Sequence, residues 1–437
     1  MNIGLIWPGF KPNRGFFDQD WFFKRVFLVQ RLNLPIIASL TSPDIEVFII
    51  DELVDRIDFN VDVDMIGITT QTQVIPRAYE IADKFKERGV PVVLGGIHAT
   101  ALPLEAKEHA ESVVIGEGEG VWQKLIEDFK SGKLKKFYRS NCYPCLDNLP
   151  IPRRDLLNNS GYLGFITPIM FSRGCPFHCE FCSVSIHFGH QLRLRPIEEV
   201  LKEIETIESE YLFFPDADIA ANPDYCKKLC KKLIPYQKKW LGQASISVAD
   251  DNELLKLLSQ SGCKNLCLGF ESLSNESLKD ANKSHNLNRS YKEVIQKLHD
   301  YGIEVGGAFI FGFDHDNKSI FENTVKFIQE SKIEVLNLNI LTPFPGTLLY
   351  HRLNKEKRLL REKWWLEDFY NNEVLFKPKL MSIDELKNGY DSVVKEVYSY
   401  CSIFRRLKRD YSFPWIHRFG NLMFNLGRRE KYFSLIK

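Results

Sequence analysis

Three cysteines lie in the ten-residue stretch RGCPFHCEFC, at Cys175, Cys179 and Cys182. Thiolates are ligands of zinc and of iron–sulfur clusters. A structural zinc site and a ferredoxin cluster both take four protein ligands, whereas this loop supplies three. The spacing therefore predicts a metal cluster that keeps one position open for a catalytic ligand. The alternative is a closed site with a distant fourth ligand, for which Cys142 or Cys145 are the candidates.

The composition limits the class of protein that surrounds this loop. At about 150 residues per domain, the 437 residues indicate about three domains. Lysines and arginines number 58 against 57 acids, which argues against a nucleic-acid-binding surface. No apolar run approaches the ~18 residues of a membrane-spanning helix, and the opening MNIGLIWPGF is too short for a signal peptide. We expect a cytoplasmic protein whose cysteines are reduced.

The first part of the chain alternates strand and helix patterns. Helical patterns at 76–89 and 120–132 each end at a glycine. Such alternation predicts an α/β domain, a doubly wound parallel sheet of the Rossmann type, over residues 1–135. Buried-strand patterns occur at 2–7, 45–50, 65–70, 91–96 and 112–118.

Ligands of doubly wound sheets bind at the carboxyl ends of the strands. In this domain those ends are rich in glycine, which lets a backbone approach a bulky ligand closely. The strand-end residues predicted to border a ligand are Thr69, Thr70, Gln71, Gly95, Gly96, His98, Gly116, Glu117 and Gly118.

A linker over 136–165 leads to a second β/α series. Its six units suit a partial (β/α)6 barrel over 166–353, and the cysteine loop follows the first strand. The remaining residues, 354–437, are predicted to be a helical extension, with one or two helices at 382–409. The strand patterns lie at 166–172, 211–215, 240–247, 264–270, 304–311 and 334–341, and the helical ones at 196–208, 222–235, 251–261, 288–301 and 318–331.

A C-x-x-x-C-x-aromatic-C motif after the first strand of a partial barrel resembles the radical S-adenosylmethionine (radical SAM) superfamily. The resemblance implies that Cys175, Cys179 and Cys182 bind a 4Fe–4S cluster and that SAM chelates its open iron. Phe181 would lie near the adenine. The reduced cluster would cleave SAM to a 5′-deoxyadenosyl radical, in an oxygen-sensitive enzyme.

Other strand ends resemble the family more loosely. Many members carry Gly-Gly-Glu after the second barrel strand, where this chain has FFPDADI. The alternative for each acid and serine is a helix cap. The resemblance implies SAM contacts from Asp216, Asp218, Ser245, Ser247, Glu271, Ser272 and Gly312.

The N-terminal segments GITTQT, PRAYEIADKFKERGVPVVLGGIHATALPLEA and VVIGEGEGVW are similar to the cobalamin-binding domain of cobalamin-dependent radical SAM enzymes. The resemblance implies that the strand-end residues border the corrin. The Asp-x-His-x-x-Gly signature of many cobalamin enzymes is absent, and His98 is the histidine at a predicted strand tip. The alternative is a domain of this type that has lost cobalamin and acts as a scaffold.

We therefore predict methyl transfer to an unactivated carbon of a small-molecule or lipid substrate, with a second SAM remethylating cobalamin. Flavodoxin or ferredoxin would supply electrons. One alternative is ring formation or rearrangement without methylation. Another is an iron–sulfur electron carrier or scaffold. A methylthiotransferase would need three N-terminal cluster cysteines, whereas the first cysteine here is Cys142.

The C-terminal tail from Phe404 is basic and aromatic, which favours either a packed terminal helix or contact with the inner membrane face. The residues that carry this pattern are Arg405, Arg406, Lys408, Arg409, Trp415, Phe419, Phe424, Arg428, Arg429 and Lys431.

Overall fold

A computed structural model describes residues 1–9, 29–158, 162, 166–367, 372–408 and 415–435. Two six-stranded sheets, each entirely parallel, are followed by a helical C-terminal region. This architecture confirms the predicted α/β fold. Arg409 lies outside the described residues, as do the side chains of Trp415 and Lys431.

The N-terminal sheet has the strand order β2-β1-β3-β4-β5-β6. Every residue of β3 is buried, as expected of a parallel strand covered on both faces. Five strands match the sequence patterns; the sixth was not predicted, because the short charged stretch KKFYRS shows no apolar period. The strands are β1 Asn2–Trp7, β2 Glu46–Asp51, β3 Met65–Thr69, β4 Val92–Gly95, β5 Ser112–Ile115 and β6 Phe137–Arg139. Its helices are Asn33–Ser39, Ile75–Glu87, Ile97–Ala101, Pro103–Glu108 and Trp122–Lys130.

The second sheet is an open barrel with the order β14-β13-β12-β11-β10-β7. Its strands are β7 Ile166–Pro168, β10 Tyr211–Phe214, β11 Lys239–Ala244, β12 Cys263–Glu271, β13 Glu304–Phe311 and β14 Val335–Ile340. Helices alternate with these strands and cover the outer face, at Ile197–Glu205, Pro223–Leu233, Asn252–Gln260, Asn275–Asp280, Tyr291–Asp300 and Ser319–Ser331.

The strand predicted at 166–172 is divided in two. Only Ile166–Pro168 belongs to the barrel, and Ser172–Arg173 (β8) pairs antiparallel with Arg193–Leu194 (β9). The carboxylate of Asp216 accepts hydrogen bonds from the backbone of Phe171, at 3.1 Å, and from Ser172. These bonds draw the chain off the sheet just before the cysteine loop.

The C-terminal region covers the open edge of the barrel at β14. An edge strand presents carbonyl groups without a strand partner. The hydroxyl groups of Tyr390 and Tyr432 each donate to Leu338 O at 3.1 Å, and Tyr398 donates to Leu336 O at 2.9 Å. Tyr390 lies on the helix Ile383–Val397, Tyr398 directly follows that helix, and Tyr432 lies on the helix Trp415–Leu435. The other α-helices described after β14 are Leu348–Lys355 and Tyr400–Leu407.

Two further side chains complete this cover. Arg406 is fully buried and donates to Ile333 O at 2.8 Å and to Asn425. Asn425 in turn donates to Glu334 O at 2.9 Å. Burial lowers the pKa of Arg406 to about 10, so it remains charged at neutral pH. None of the described helices is both long enough and apolar enough to cross a membrane.

We expect Tyr398→Phe to loosen β14, because it leaves the Leu336 carbonyl buried without its donor, at a cost of about 1–2 kcal/mol. Hydrogen–deuterium exchange of peptides from β14 measures this local opening. The matched control is Tyr400→Phe, since Tyr400 is 54% exposed and its ring is retained. Equal exchange in the two variants would show that the hydroxyl does not hold the edge.

Candidate active site

The cysteine loop begins at the carboxyl end of the barrel, directly after β8. Its three thiols are partly buried and form no disulfide. Burial raises the pKa of all three, that of Cys179 to about 11. Gly174 opens the loop at a φ of +85°, where a Cβ would lie 2.1 Å from Gln191 O. Only glycine therefore fits at the position just before Cys175.

Three thiols in one loop match the ligand set of a cubane cluster that keeps one iron open. The cysteines of a cubane cluster each bind a different iron, so they lie further apart than the ligands of one ion. Cys142 and Cys145 are exposed, unlike the three cysteines of the loop.

A buried lysine stands beside the thiols. Lys283 forms a 2.8 Å ion pair with Glu271, and both side chains are about nine-tenths buried. Burial alone would lower the pKa of Lys283, but Glu271 and the nearby Cys179 raise it above its usual value. Gly269 makes room for the pair, since a Cβ there would meet both side chains within 2.7 Å. Sequence reasoning missed Lys283, because a lysine in the polar stretch DANKSHN resembles a surface residue.

The predicted Asp216 and Asp218 are both buried after β10. Burial raises the pKa of Asp216 to about 6 and that of Asp218 above its usual value. Each has one carboxylate oxygen, Oδ2, with no hydrogen-bond partner among the described residues. The charge of Asp218 helps to raise the pKa of Cys175, and the charge of Lys283 acts to lower the pKa of Asp218. Two buried acceptors without a partner fit a cationic ligand such as SAM, which carries an ammonium group and a sulfonium.

The serines predicted to contact SAM already have protein partners. Ser245 and Ser247 share a 2.7 Å hydrogen bond. Ser272 lies 3.4 Å from Asp316 Oδ1. The other oxygen of Asp316 accepts from the backbone of Gly312 at 3.0 Å. Asp316 therefore holds a turn of the barrel mouth, a role that the sequence did not reveal.

The last two predicted SAM contacts, Gly312 and Phe181, pack against different parts of the molecule. A Cβ on Gly312 would lie 2.8 Å from Leu386, so the absence of a side chain at Gly312 lets the helix Ile383–Val397 pack closely. Phe181 meets Phe313 edge to face at 5.8 Å between ring centroids. It also lines a cavity of about 370 Å³ at the mouth of the barrel, together with Gln73, Ile310, Asn339, Ile340, Leu341, Thr342, Phe344, Asn372, Arg428 and Tyr432.

A larger cavity, of about 560 Å³, lies between the carboxyl edge of the N-terminal sheet and the barrel. Of the nine predicted cobalamin residues, five line it: Thr69, Gly95, Gly96, Gly116 and Gly118. The barrel contributes Pro168, Met170, Ser172, Arg173, Gly174, Val184, His187, Phe188, Phe213 and Asp216. A Cβ on Gly96, whose φ is +99°, would lie 2.7 Å from Thr70 O. The glycine tips leave this edge of the sheet without side chains, and such a cradle fits a broad, flat corrin.

The structure does not bring the other four residues to this cavity. His98 is fully buried, and its ring nitrogens lie 3.2 Å from Thr72 Oγ1 and from Glu105. Burial lowers the pKa of His98. It packs beneath the sheet edge, so it is not placed to bind a ligand in the cavity. Thr70 is also buried and donates to Gly95 O at 2.8 Å.

Glu117 connects the two domains instead of lining the cavity. Its carboxylate pairs with Arg173 and Arg193 of the barrel. Glu119 also pairs with Arg173, which lies two residues before Cys175. These buried ions link the tip of β5 to the start of the cysteine loop. Gln71, the remaining predicted residue, is exposed.

Residues that follow β14 hold the other side of the cysteine loop. Arg352 pairs with Glu180, the residue after Cys179, and with Asp314 at 2.7 Å. The backbone of Leu349 donates to Glu180 O at 3.0 Å. Arg358 and Lys379 place further positive charge on Asp314, whose pKa lies well below its usual range.

We expect Arg352→Met to weaken retention of the cluster about 10- to 100-fold, as loss of groups that orient metal ligands generally does. The measurement is the rate at which a chelator removes iron from reconstituted protein. Arg361→Met serves as the control, because Arg361 pairs only with the surface acids Glu367 and Glu373 among described residues. Identical rates of iron removal for both variants would show that the ion pairs of Arg352 do not hold the cysteine loop.

Three protein families match the chain in the order of its structural units. Residues 36–126 match the B12 binding domain, and residues 169–328 match the radical SAM superfamily. Residues 347–414 match a domain of unknown function (DUF4070).

Two relatives that match most of the chain show its family. A bacteriochlorophyllide d C-12(1)-methyltransferase of Chlorobaculum tepidum is 32% identical over 412 residues, 91% of this chain and 89% of the relative. The chain belongs to the cobalamin-dependent radical SAM family. The bacteriochlorophyllide d C-8(2)-methyltransferase of the same organism is 31% identical over 354 residues, 76% and 77% of the two chains.

Solved structures agree with this cobalamin-dependent radical SAM fold. The methyltransferase TsrM from Kitasatospora setae, with cobalamin and a 4Fe–4S cluster bound, has a TM-score of 0.73. The match covers 98% of this chain and 99% of TsrM at 14% identity. At this identity the likeness concerns the fold.

The predicted reaction class and cofactors are therefore confirmed. This cobalamin-dependent radical SAM protein is an enzyme that transfers methyl groups to unactivated carbon. Its cofactors are a 4Fe–4S cluster, SAM and cobalamin. It needs an electron donor and a small-molecule substrate.

Proposed function

We propose that this enzyme methylates a tetrapyrrole, a broad and largely apolar ring molecule, on the barrel side of the interdomain cavity, with cobalamin against the glycine tips on the other side. The observation that carries the proposal is that this cavity joins the glycine tips of the N-terminal sheet to the loop of the cluster cysteines. Apolar walls suit such a substrate, and Met170, Phe188 and Phe213 provide them on the barrel side. Methyltransferases of bacteriochlorophyllide d, itself a tetrapyrrole, are among the similar proteins.

We assign the site residues as follows. Cys175, Cys179 and Cys182 hold the cluster, and Lys283 attracts the carboxylate of SAM. The free oxygens of Asp216 and Asp218 accept from its amino group. Phe181 borders the adenine, and the five cavity residues of the N-terminal sheet border cobalamin.

The division of the chain is also a proposal. The predicted units 1–135, 136–165, 166–353 and 354–437 change in one place, because β6, which lies within the predicted linker, pairs with β5 and so belongs to the first unit. The ion pair between Arg352 and Glu180 then joins the end of the barrel unit to its beginning.

When bound, the cluster and SAM supply a 5′-deoxyadenosyl radical, and cobalamin supplies the methyl group. The chain's own residues position these groups and keep water from the radical. The apolar walls exclude water, and the ion pairs of Arg173 and Arg193 with Glu117 keep the two domains closed over the cavity.

Anaerobic reconstitution with iron, sulfide, cobalamin and SAM tests this function. With bacteriochlorophyllide d precursors as substrates, we expect 5′-deoxyadenosine and S-adenosylhomocysteine in equal amounts and a product heavier by one methylene. Deoxyadenosine with a rearranged product of no added carbon would instead identify a cyclase; the anaerobic magnesium-protoporphyrin IX monomethyl ester cyclase of Cereibacter sphaeroides is 25% identical. Methylation of hopanoids alone would move the substrate class to lipids.

We further propose that flavodoxin or ferredoxin is the reductant.

We also propose that the C-terminal region touches the inner membrane face. Tyr400, Phe404 and Phe419 are each more than half exposed, in a stretch that also contains the basic Arg405 and Lys408. Binding to anionic vesicles should fall in Phe404→Ser and remain in Leu104→Ser, since Leu104 is an exposed apolar residue of the other domain. Equal loss in both variants would rule out a specific C-terminal contact.

A further inference from the structure

His187 is a residue of the interdomain cavity that neither the reaction nor the cluster motif accounts for. It lies five residues after Cys182, on the short helix Val184–Phe188. This helix packs against the helix Ile97–Ala101 of the N-terminal domain, so His187 lies where the walls of the cavity meet.

The hydrogen bonds of Thr100 determine which ring nitrogen of His187 carries a proton. The Thr100 hydroxyl donates its proton to Gly96 O at 2.8 Å and accepts from Gly116 N at 2.9 Å. His187 Nδ1 lies 3.3 Å from the same hydroxyl oxygen. Because the hydroxyl has one proton, already used, Nδ1 must be the donor in this contact.

This tautomer leaves Nε2 as an acceptor. Nε2 has no hydrogen-bond partner in the part of the chain that the structure describes. Burial lowers the pKa of His187 to about 4, and the repulsion from Arg173 and Arg193 acts in the same direction against the attraction of Glu119. The ring is therefore neutral near pH 7, and the Nε2 lone pair of this cavity-lining residue is available for a hydrogen bond.

A neutral imidazole with a free lone pair can bind a metal ion or accept a hydrogen bond. His187 is tied to Thr100 on a wall of the cavity, where the helix Val184–Phe188 meets the helix Ile97–Ala101. A residue on the wall would reach the edge of a broad ring before its centre, which favours the hydrogen bond. The edge of a corrin carries primary amide groups, which are N–H donors.

We propose that His187 Nε2 accepts a hydrogen bond from a peripheral amide of cobalamin. This inference rests on the proposal that cobalamin occupies the interdomain cavity. The contact would connect cobalamin to the helix that follows the cluster cysteines, through a residue of the barrel and not of the cobalamin-binding domain.

Binding of hydroxocobalamin to the full-length protein, without SAM or substrate, tests the inference. His187→Phe retains a ring but lacks the acceptor, so we expect affinity about 5- to 10-fold lower, the value of one hydrogen bond. His187→Gln offers an amide oxygen and should recover part of the loss. Unchanged affinity in His187→Phe would overturn the inference.

A second readout distinguishes a contact with a peripheral amide of the corrin from ligation of cobalt. The EPR spectrum of bound cob(II)alamin should be the same in wild type and His187→Phe. A nitrogen splitting present in wild type and lost in the variant would place Nε2 on cobalt and overturn the proposed contact.

A third variant separates this inference from the location of cobalamin. Gly95 lines the cavity, and a Cβ there would make only an ordinary 3.6 Å contact with Val114. Gly95→Phe should therefore place a ring in the cavity where the corrin would lie and prevent binding. If Gly95→Phe binds cobalamin normally, the location is wrong; if it prevents binding while the His187 variants bind normally, only the role of His187 is wrong.

Discussion

Replacing Cys175 with alanine is expected to remove the 4Fe–4S cluster and to stop the cleavage of SAM. The loop supplies three thiolates, so a single loss leaves two, too few to hold a cubane with an open iron. Formation of 5′-deoxyadenosine should fall about 10³-fold or more, because the cofactor carries the chemistry. The variant should also lose the visible absorption of the cluster after anaerobic reconstitution.

Cys142→Ala and Cys145→Ala are the matched controls. Both residues are exposed cysteines outside the loop, so each variant should retain iron, absorption and SAM cleavage at the wild-type level. Loss of the cluster in either control would show that the fourth ligand is a protein thiol. That result would support the alternative of a closed cluster with four protein ligands, in which SAM has no open iron to bind.

The sequence was sufficient to predict elements with strong local patterns. Apolar runs predict the strands β1 to β5 and β10 to β14, and helices follow most of them, so most of the two parallel sheets could be predicted from local patterns. The cysteine loop was predictable for a different reason. Its chemistry depends on residue type and spacing, which are read directly along the chain.

Features that depend on distant partners could not be predicted. β6 exists because Phe137–Arg139 pairs with β5, and its charged neighbours conceal the strand. The predicted strand at 166–172 divides because Asp216, 44 residues beyond Ser172, accepts from its backbone. The hydroxyl donors to the β14 edge come from residues 52 to 94 positions away.

The strand-tip residues show the same limit within the site. The sequence places His98 at a tip as clearly as Gly96, but only the fold shows that its side chain packs against Glu105 and Trp365, away from the cavity. Glu117 was also predicted to border the ligand, but its carboxylate pairs with two arginines of the barrel instead. Position along a strand predicts which edge a residue reaches, and tertiary partners decide which way its side chain turns.

Lys283→Met should reduce both stability and SAM affinity, for two separable reasons. It leaves the buried Glu271 carboxylate without its partner, which costs about 3–5 kcal/mol in the free energy of unfolding. It also removes the positive charge that stands beside Cys179. If that charge attracts the SAM carboxylate, affinity for SAM should fall about 10²-fold, the effect of removing one partner of a buried charge pair.

Changing Glu271 separates these two effects. In Lys283→Met/Glu271→Gln no unpaired charge remains, so thermal stability should return towards that of wild type while SAM binding stays weak. Glu271→Gln alone keeps the charge of Lys283 and should retain most of the SAM affinity. Recovery of SAM binding in the double variant, measured by the change that SAM causes in the EPR spectrum of the reduced cluster, would show that Lys283 only neutralises Glu271. Weak binding in a stably folded double variant would instead identify Lys283 as the cation that holds SAM.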